Sequence, residues 1–183
     1  MILPESSIYF AKCITADGLD MNAVKIGISH GFTTRLKAIE TNLPFNCEFL
    51  CSIDGDIFVE YFLHFWFRDH RLGGEYFRYT DELRSMVSFI LETGKLPLPL
   101  KIHDHEYELD GIDCVAFMQS RGITFADISL NSGIVASRYE GLLQKQPCGN
   151  RRFLAALAVT AVRMGMSIIW PDDFRSRSRE AAA

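Results

Sequence analysis

A phenol, an ammonium, a guanidinium, a carboxylate and an imidazole follow one another through the first half of this chain, at Tyr9, Lys25, Arg35, Glu60 and His64. Together these groups suit hydrolysis of a phosphodiester. That reaction needs an in-line nucleophile, a base to deprotonate it, and positive charge on the phosphate. A hard cation such as Mg²⁺ (or Mn²⁺) can supply part of that charge, held by one or two carboxylates plus water. Tyrosine is a poor base at its ordinary pKa of about 10. A neighbouring ammonium favours its phenolate, which is a reason to want Lys25 beside Tyr9. Strand alternation sets Tyr9 opposite Ile8 and Phe10, and Lys25 opposite Val24 and Ile26. With those apolar residues in the core, Tyr9 and Lys25 share the other, exposed face.

The elements that must position these groups follow from periodicity. Residues 6–14 and 23–29 are rich in Ile, Val and Phe and read as strands, separated by the turn-rich ADGLDMN. Residues 33–41 read as a helix capped by Thr33, and residues 47–53 as a third strand. Over residues 56–71 the spacing predicts a longer helix, with Phe58, Tyr61, Phe62, Phe65 and Trp66 on one arc. Glu60, His64, Arg68 and Arg71 then form a stripe within about 80° on the other side. GGEYFRY follows as a turn and a short strand, and Thr80 caps a helix to about Glu92. Residues 95–107 carry prolines without a helical period and read as a linker. The expected fold class is α+β. A domain over 1–94 has a central antiparallel or mixed sheet of three to four strands flanked by helices. A small all-helical domain spans 108–174, and a low-complexity tail spans 175–183.

Composition excludes several classes. The hydrophobic content of 48% and charged content of 23% are those of a folded globular chain. No apolar run approaches the ~20 residues of a spanning helix, and MILPESS does not read as a signal peptide. The expectation is a cytoplasmic protein with no membrane partner. Five cysteines, Cys13, Cys47, Cys51, Cys114 and Cys148, are scattered without a C-x-x-C pair. That spacing predicts reduced, buried thiols rather than a disulfide framework or zinc site. The net charge of −4 argues against a uniformly basic surface. Charge is nevertheless uneven. Between residues 121 and 163, Arg121, Arg138, Lys145, Arg151, Arg152 and Arg163 face only Asp127 and Glu140.

Five pieces in order carry a resemblance: Tyr9 in IYF, KIG at Lys25–Gly27, Arg35 on the next helix, E-x-x-x-H at Glu60–His64, and GEYF from Gly74 to Phe77. The set resembles the GIY-YIG nuclease superfamily, in the branch whose second motif reads K-I-G, and it covers roughly residues 6–78. The resemblance implies Tyr9 as general base or water-orienting group and Lys25 in the place of the second tyrosine. It implies Arg35 as phosphate clamp, Glu60 as metal ligand, and His64 as a group that orients water. Gly27, Arg71, Glu75 and Tyr76 would support the site. Three departures stand out: SIY lacks the glycine, lysine replaces the second tyrosine, and Tyr76 replaces the usual tryptophan.

GITFADISLNSGIVASRYEGLLQ resembles a phage-repressor helix-turn-helix, with Ile128 and Ser129 on the first helix and Gly133 at the turn. Ile134, Tyr139 and Leu142 then pin the second helix, which begins at Val135–Arg138 and enters the major groove. Ser137 and Arg138 would contact DNA, and Arg151 and Arg152 would meet phosphates. A supporting helix follows, with Leu154, Leu157, Ala158 and Ala161 inward.

Taken singly, each feature has an ordinary alternative: a solvated hairpin face, a salt-bridged surface helix, a helical bundle. Taken in order, they imply a metal-dependent DNA endonuclease whose C-terminal helical domain positions the substrate. The alternative is a DNA-binding regulator that retains the nuclease fold without activity.

Overall fold

Alternating apolar residues draw three long strands into one sheet. These are β1 (Ser7–Ile14), β2 (Asp20–Ser29) and β3 (Asn46–Asp54), with β1 between its two antiparallel partners. The computed structural model describes residues 6–29, 45–102, 113–143 and 150–170. The helix read over 33–41, and Arg35 with it, lies outside the described residues. The chain divides into two compact units, Met1–Pro97 and Leu98–Ala183. No helix among the described residues is long and apolar enough to cross a membrane.

In the first unit, α1 (Ile57–Trp66) follows β3, and a hairpin of β4 (Arg71–Gly73) and β5 (Tyr76–Arg78) joins the sheet along β2. The class is α+β. The sheet has five antiparallel strands in the order β3-β1-β2-β5-β4, one more than the three to four expected. The extra strand is β4, three exposed residues too short to leave a pattern.

Asp56 caps α1, its side chain accepting from Phe58 N (2.9 Å) and Val59 N (3.3 Å). Phe58, Val59, Phe62, Leu63 and Phe65 are buried. Each such side chain contributes about 1.5–3 kcal/mol relative to exposure. The helix packs on β2, and α2 (Asp81–Thr93), capped by Thr80, packs on β3. α1 ends at Trp66, earlier than periodicity predicts, and Arg68–His70 tighten into a 3₁₀ turn. Arg71 therefore leaves the predicted helical stripe and opens β4, where its Nε donates to the Gly74 carbonyl at 2.6 Å.

The second unit differs from an all-helical domain. β6 (Leu100–Ile102), inside the segment read as linker, pairs in parallel with β7 (Ile168–Trp170). α3 (Cys114–Arg121) and α4 (Phe125–Ser132) precede a 3₁₀ turn, Ala136–Tyr139, and the short α5 (Glu140–Leu143). α6 (Arg151–Arg163) is buried all round, from Phe153 to Val162. Leu154, Leu157, Ala158 and Ala161 are inward, as expected, but so are their neighbours, so α6 is a central helix rather than a one-sided support.

Replacing Asp56 by Ala should lower stability by about 1 kcal/mol, because two first-turn donors of α1 lose their acceptor. Urea unfolding should show the loss for Asp56→Ala and a smaller one for Asp56→Asn.

Candidate functional site

The site begins with a backbone problem. β5 accompanies β2 only at Ala23, Val24 and Lys25. Past that point β2 has an edge inside the protein, and its polar groups need partners. Ile26 N donates to the Glu75 carbonyl at 3.0 Å. The Ile26 carbonyl accepts from His64 Nε2 at 3.0 Å. Ile28 N donates to Glu60 Oε1 at 3.0 Å. Two side chains of α1 thus take the place of the missing strand. The spacing allows it: four helical residues rise about 6 Å, and two strand residues about 6.7 Å.

Glu60 and His64 are therefore buried, at 5% and 7% exposure, unlike the residues of a salt-bridged surface helix. Burial lowers the His64 pKa below its ordinary value, and the bond to Ile26 works against that shift. Arg71 and Lys25 lower it further, while Glu75 raises it. Arg71 thus acts on the site through its charge. The neutral ring is favoured, and donation to a carbonyl assigns its hydrogen to Nε2, leaving Nδ1 as the lone-pair nitrogen.

Tyr9 pairs with Gly27 and Ala11 with Lys25, so Tyr9 and Lys25 lie on one sheet face. The expectation that this face is exposed is corrected. Tyr9 is 1% exposed, in an apolar cluster with Ala11, Cys13, Ala23 and Cys47, against which Phe45 and Tyr76 pack. Gly27 makes room for the ring. A Cβ there would lie 2.8 Å from the Tyr9 hydroxyl oxygen and 2.9 Å from Cζ. Lys25 forms an ion pair with Glu75, and its Nζ lies 5.2 Å from the centre of the Tyr76 ring. Tyr76 in turn meets Phe45 edge-on at 5.6 Å. Phe45 was not among the expected site residues, since a lone aromatic after a proline carries no signal of what it will touch.

Tyr9, Lys25, Gly27 and Tyr76 thus share one face of the sheet, while Glu60 and His64 reach the backbone of Ile28 and Ile26 from α1, the His64 ring lying 5.1 Å from that of Phe77 on the opposite face. Arg35 lies outside the described residues. Among the described residues no three His, Cys, Asp or Glu side chains gather as a cation cage. The donor set still fits Mg²⁺, which binds through one or two carboxylates and otherwise keeps water and substrate phosphate oxygens. Glu60 would be the protein's carboxylate.

In the second unit, Gly133 closes α4 at φ +78°, a left-handed turn that suits glycine. Ser129 ties the turn to the helix, donating to the Phe125 carbonyl (2.9 Å) and accepting from Ala136 N (3.1 Å). The expected second helix is corrected: Val135 precedes a 3₁₀ turn, and the α-helical part starts only at Glu140. Ala136 and Leu143 are its buried anchors, and the Tyr139 ring meets Phe153 at 5.1 Å. The side chain of Leu142 lies outside the described residues. Ser137, Arg138 and Arg152 are exposed and Arg151 is half-buried. Asn150 caps α6, its side chain accepting from Arg152 N at 2.9 Å.

Comparison with known proteins found no matching family model, no similar curated protein and no similar solved structure.

Gly27→Ala should destabilise the first unit by about 1–3 kcal/mol, because the new methyl meets the Tyr9 ring. Combined with Tyr9→Leu, the loss should be less than the sum of the two single changes in a denaturation double-mutant cycle. His64 generates a pH dependence. Its folded pKa is lowered, so its contribution is complete above the unfolded value of about 6.5. It is lost as pH falls toward and through the lowered value, because the unfolded chain binds the proton first. Unfolding free energies at several pH values should show a shallower acid slope for His64→Gln than for wild type.

Proposed function

We propose that the chain is a metal-dependent DNA endonuclease that hydrolyses phosphodiester bonds, with its second unit positioning the DNA. One observation carries the reading: Tyr9 packs on Gly27 on the face that also bears Lys25, and Glu60 and His64 bond to the backbone of Ile28 and Ile26 on either side of that glycine. They are the residue types the reaction needs, and they come from three different elements.

In this reading a water molecule attacks phosphorus in line with the leaving oxygen. The Tyr9 hydroxyl or the lone-pair Nδ1 of His64 takes or orders its proton. Lys25, with Arg35, holds the phosphate and balances the charge that develops on it. Mg²⁺ or Mn²⁺, held through Glu60, would polarise a phosphate oxygen. The exposed Arg138 and Ser137, with Arg151 and Arg152, suit contacts to the DNA backbone or to base edges.

A second reading is favoured by burial. Tyr9, Glu60 and His64 are each less than a tenth exposed, as packing residues are. A DNA-binding regulator that retains the fold would look the same.

Purified protein with Mg²⁺ or Mn²⁺ should nick supercoiled plasmid. Glu60→Gln keeps an acceptor for Ile28 N and removes the charge, so it should fold while losing at least ~100-fold in nicking rate. No nicking by wild type or Glu60→Gln, with duplex binding by both intact, would establish the regulator. Arg138→Ala should weaken duplex binding and reduce the salt slope by about one charge.

A further inference from the structure

In the apolar cluster around Tyr9, the first unit places two thiols directly across from one another. Cys13 of β1 is the register partner of Cys47 of β3. Both are buried, at 1% and 6% exposure, in the apolar cluster with Tyr9, Ala11 and Ala23. Cys13, Cys47, Cys51 and Cys114 form no disulfide with one another.

The hydrogen-bond pattern of the sheet says which kind of pair this is. Along β2, the backbone groups of Ile26 and Ile28 point away from β1, to Glu75, His64 and Glu60. Gly27, Lys25 and Ala23 therefore turn their backbone groups toward β1, where their partners are Tyr9, Ala11 and Cys13. Cys13 thus spends its backbone bonds on β2, not on β3. Toward β3 it forms the non-hydrogen-bonded kind of antiparallel pair, in which Cα atoms approach to about 4.5 Å and side chains are closest. That separation lies within the range a disulfide spans, roughly 4.4–6.8 Å between Cα atoms.

We infer that Cys13 and Cys47 are an oxidisable thiol pair, which a small-molecule disulfide converts to a cross-strand disulfide between β1 and β3. In the first step one cysteine thiolate attacks a sulfur of the small disulfide, forming a mixed disulfide and releasing one small thiol. In the second, the facing cysteine thiolate attacks the protein sulfur of that mixed disulfide and releases the second small thiol. The protein loses two hydrogens and is oxidised, and the reagent is reduced to two thiols. The product carries no charge, which suits the apolar cluster around it.

Two features set its character. The hydrogen bond with the Cys47 side chain, and then burial, push the Cys13 thiol far above the ordinary cysteine range, while Lys25 pulls it back slightly. Thiolate is therefore scarce in the closed sheet, and the first attack is slow. The second attack is intramolecular between facing residues and is fast, so the mixed disulfide does not accumulate. Cys51 provides an internal control. It pairs with Phe10 on the other sheet face, and burial alone pushes its thiol up to about 11. It cannot reach Cys13 from there.

The inference does not depend on the nuclease reading. The test is incubation of the folded, reduced protein with oxidised glutathione, read by intact mass and by mapping of linked peptides. The expected result is a species lighter by two hydrogens, with Cys13 linked to Cys47. Its melting temperature should rise by several degrees and return on reduction. Cys47→Ser should abolish the two-hydrogen loss, while Cys51→Ser should retain it. Accumulation of a glutathione adduct, a link through any other cysteine, or no change in mass would each overturn the proposal.

Discussion

Much of the first unit depends on how the inner edge of β2 is finished. A sheet strand that loses its neighbour inside a protein leaves donors and acceptors that water cannot reach, and each orphan costs about 1–3 kcal/mol. Here β5 stops at Lys25, and α1 completes the edge through His64 and Glu60. The contact settles the rotation of α1, because both side chains must point at β2. It also settles which face of α1 is apolar and buried, with Phe58, Phe62 and Leu63 packed into the core. A helix that bonds to a strand edge through a carboxylate and an imidazole is held more specifically than one held by area alone, since register errors would orphan both groups.

The same contact creates the tension in the functional reading. A carboxylate and an imidazole are costly to bury, so their presence calls for a reason. Completion of the strand edge is one reason, and an amide would serve it more cheaply than a carboxylate. A ring kept neutral, with its hydrogen committed to the Ile26 carbonyl, presents a lone pair at ordinary pH.

The parts of this arrangement that were legible in the sequence are those written in local pattern. Alternation located β1, β2 and β3 to within a few residues, and Thr80 marked the start of α2. Alternation also put Tyr9 and Lys25 on one face, but it could not say that the face is covered. That depends on Phe45 and Tyr76, which come from distant parts of the chain. The end of α1 was misplaced because FRDHR continues the helical period, while the pairing of Arg71 with Phe77 pulls the chain into a strand. β6 and β7 were invisible for a simpler reason. Three residues cannot display a period, and their pairing joins positions on opposite sides of the helical region. The bonds of Glu60 and His64 to β2 were not legible in the sequence because their partners are backbone atoms, and every residue has those.

Lys25 joins the two halves of the argument. Its side chain is only 12% exposed, so an ammonium there needs a counter-charge, and Glu75 supplies it from a position 44% exposed. A pair with one partner that far into solvent is held weakly, by about 1 kcal/mol or less. The turn that carries Glu75 also accepts from Ile26 N through its backbone carbonyl, so the chain around Glu75 is anchored to β2 beside the ion pair. The ion pair and the completed strand edge thus share one support, the chain at Glu75.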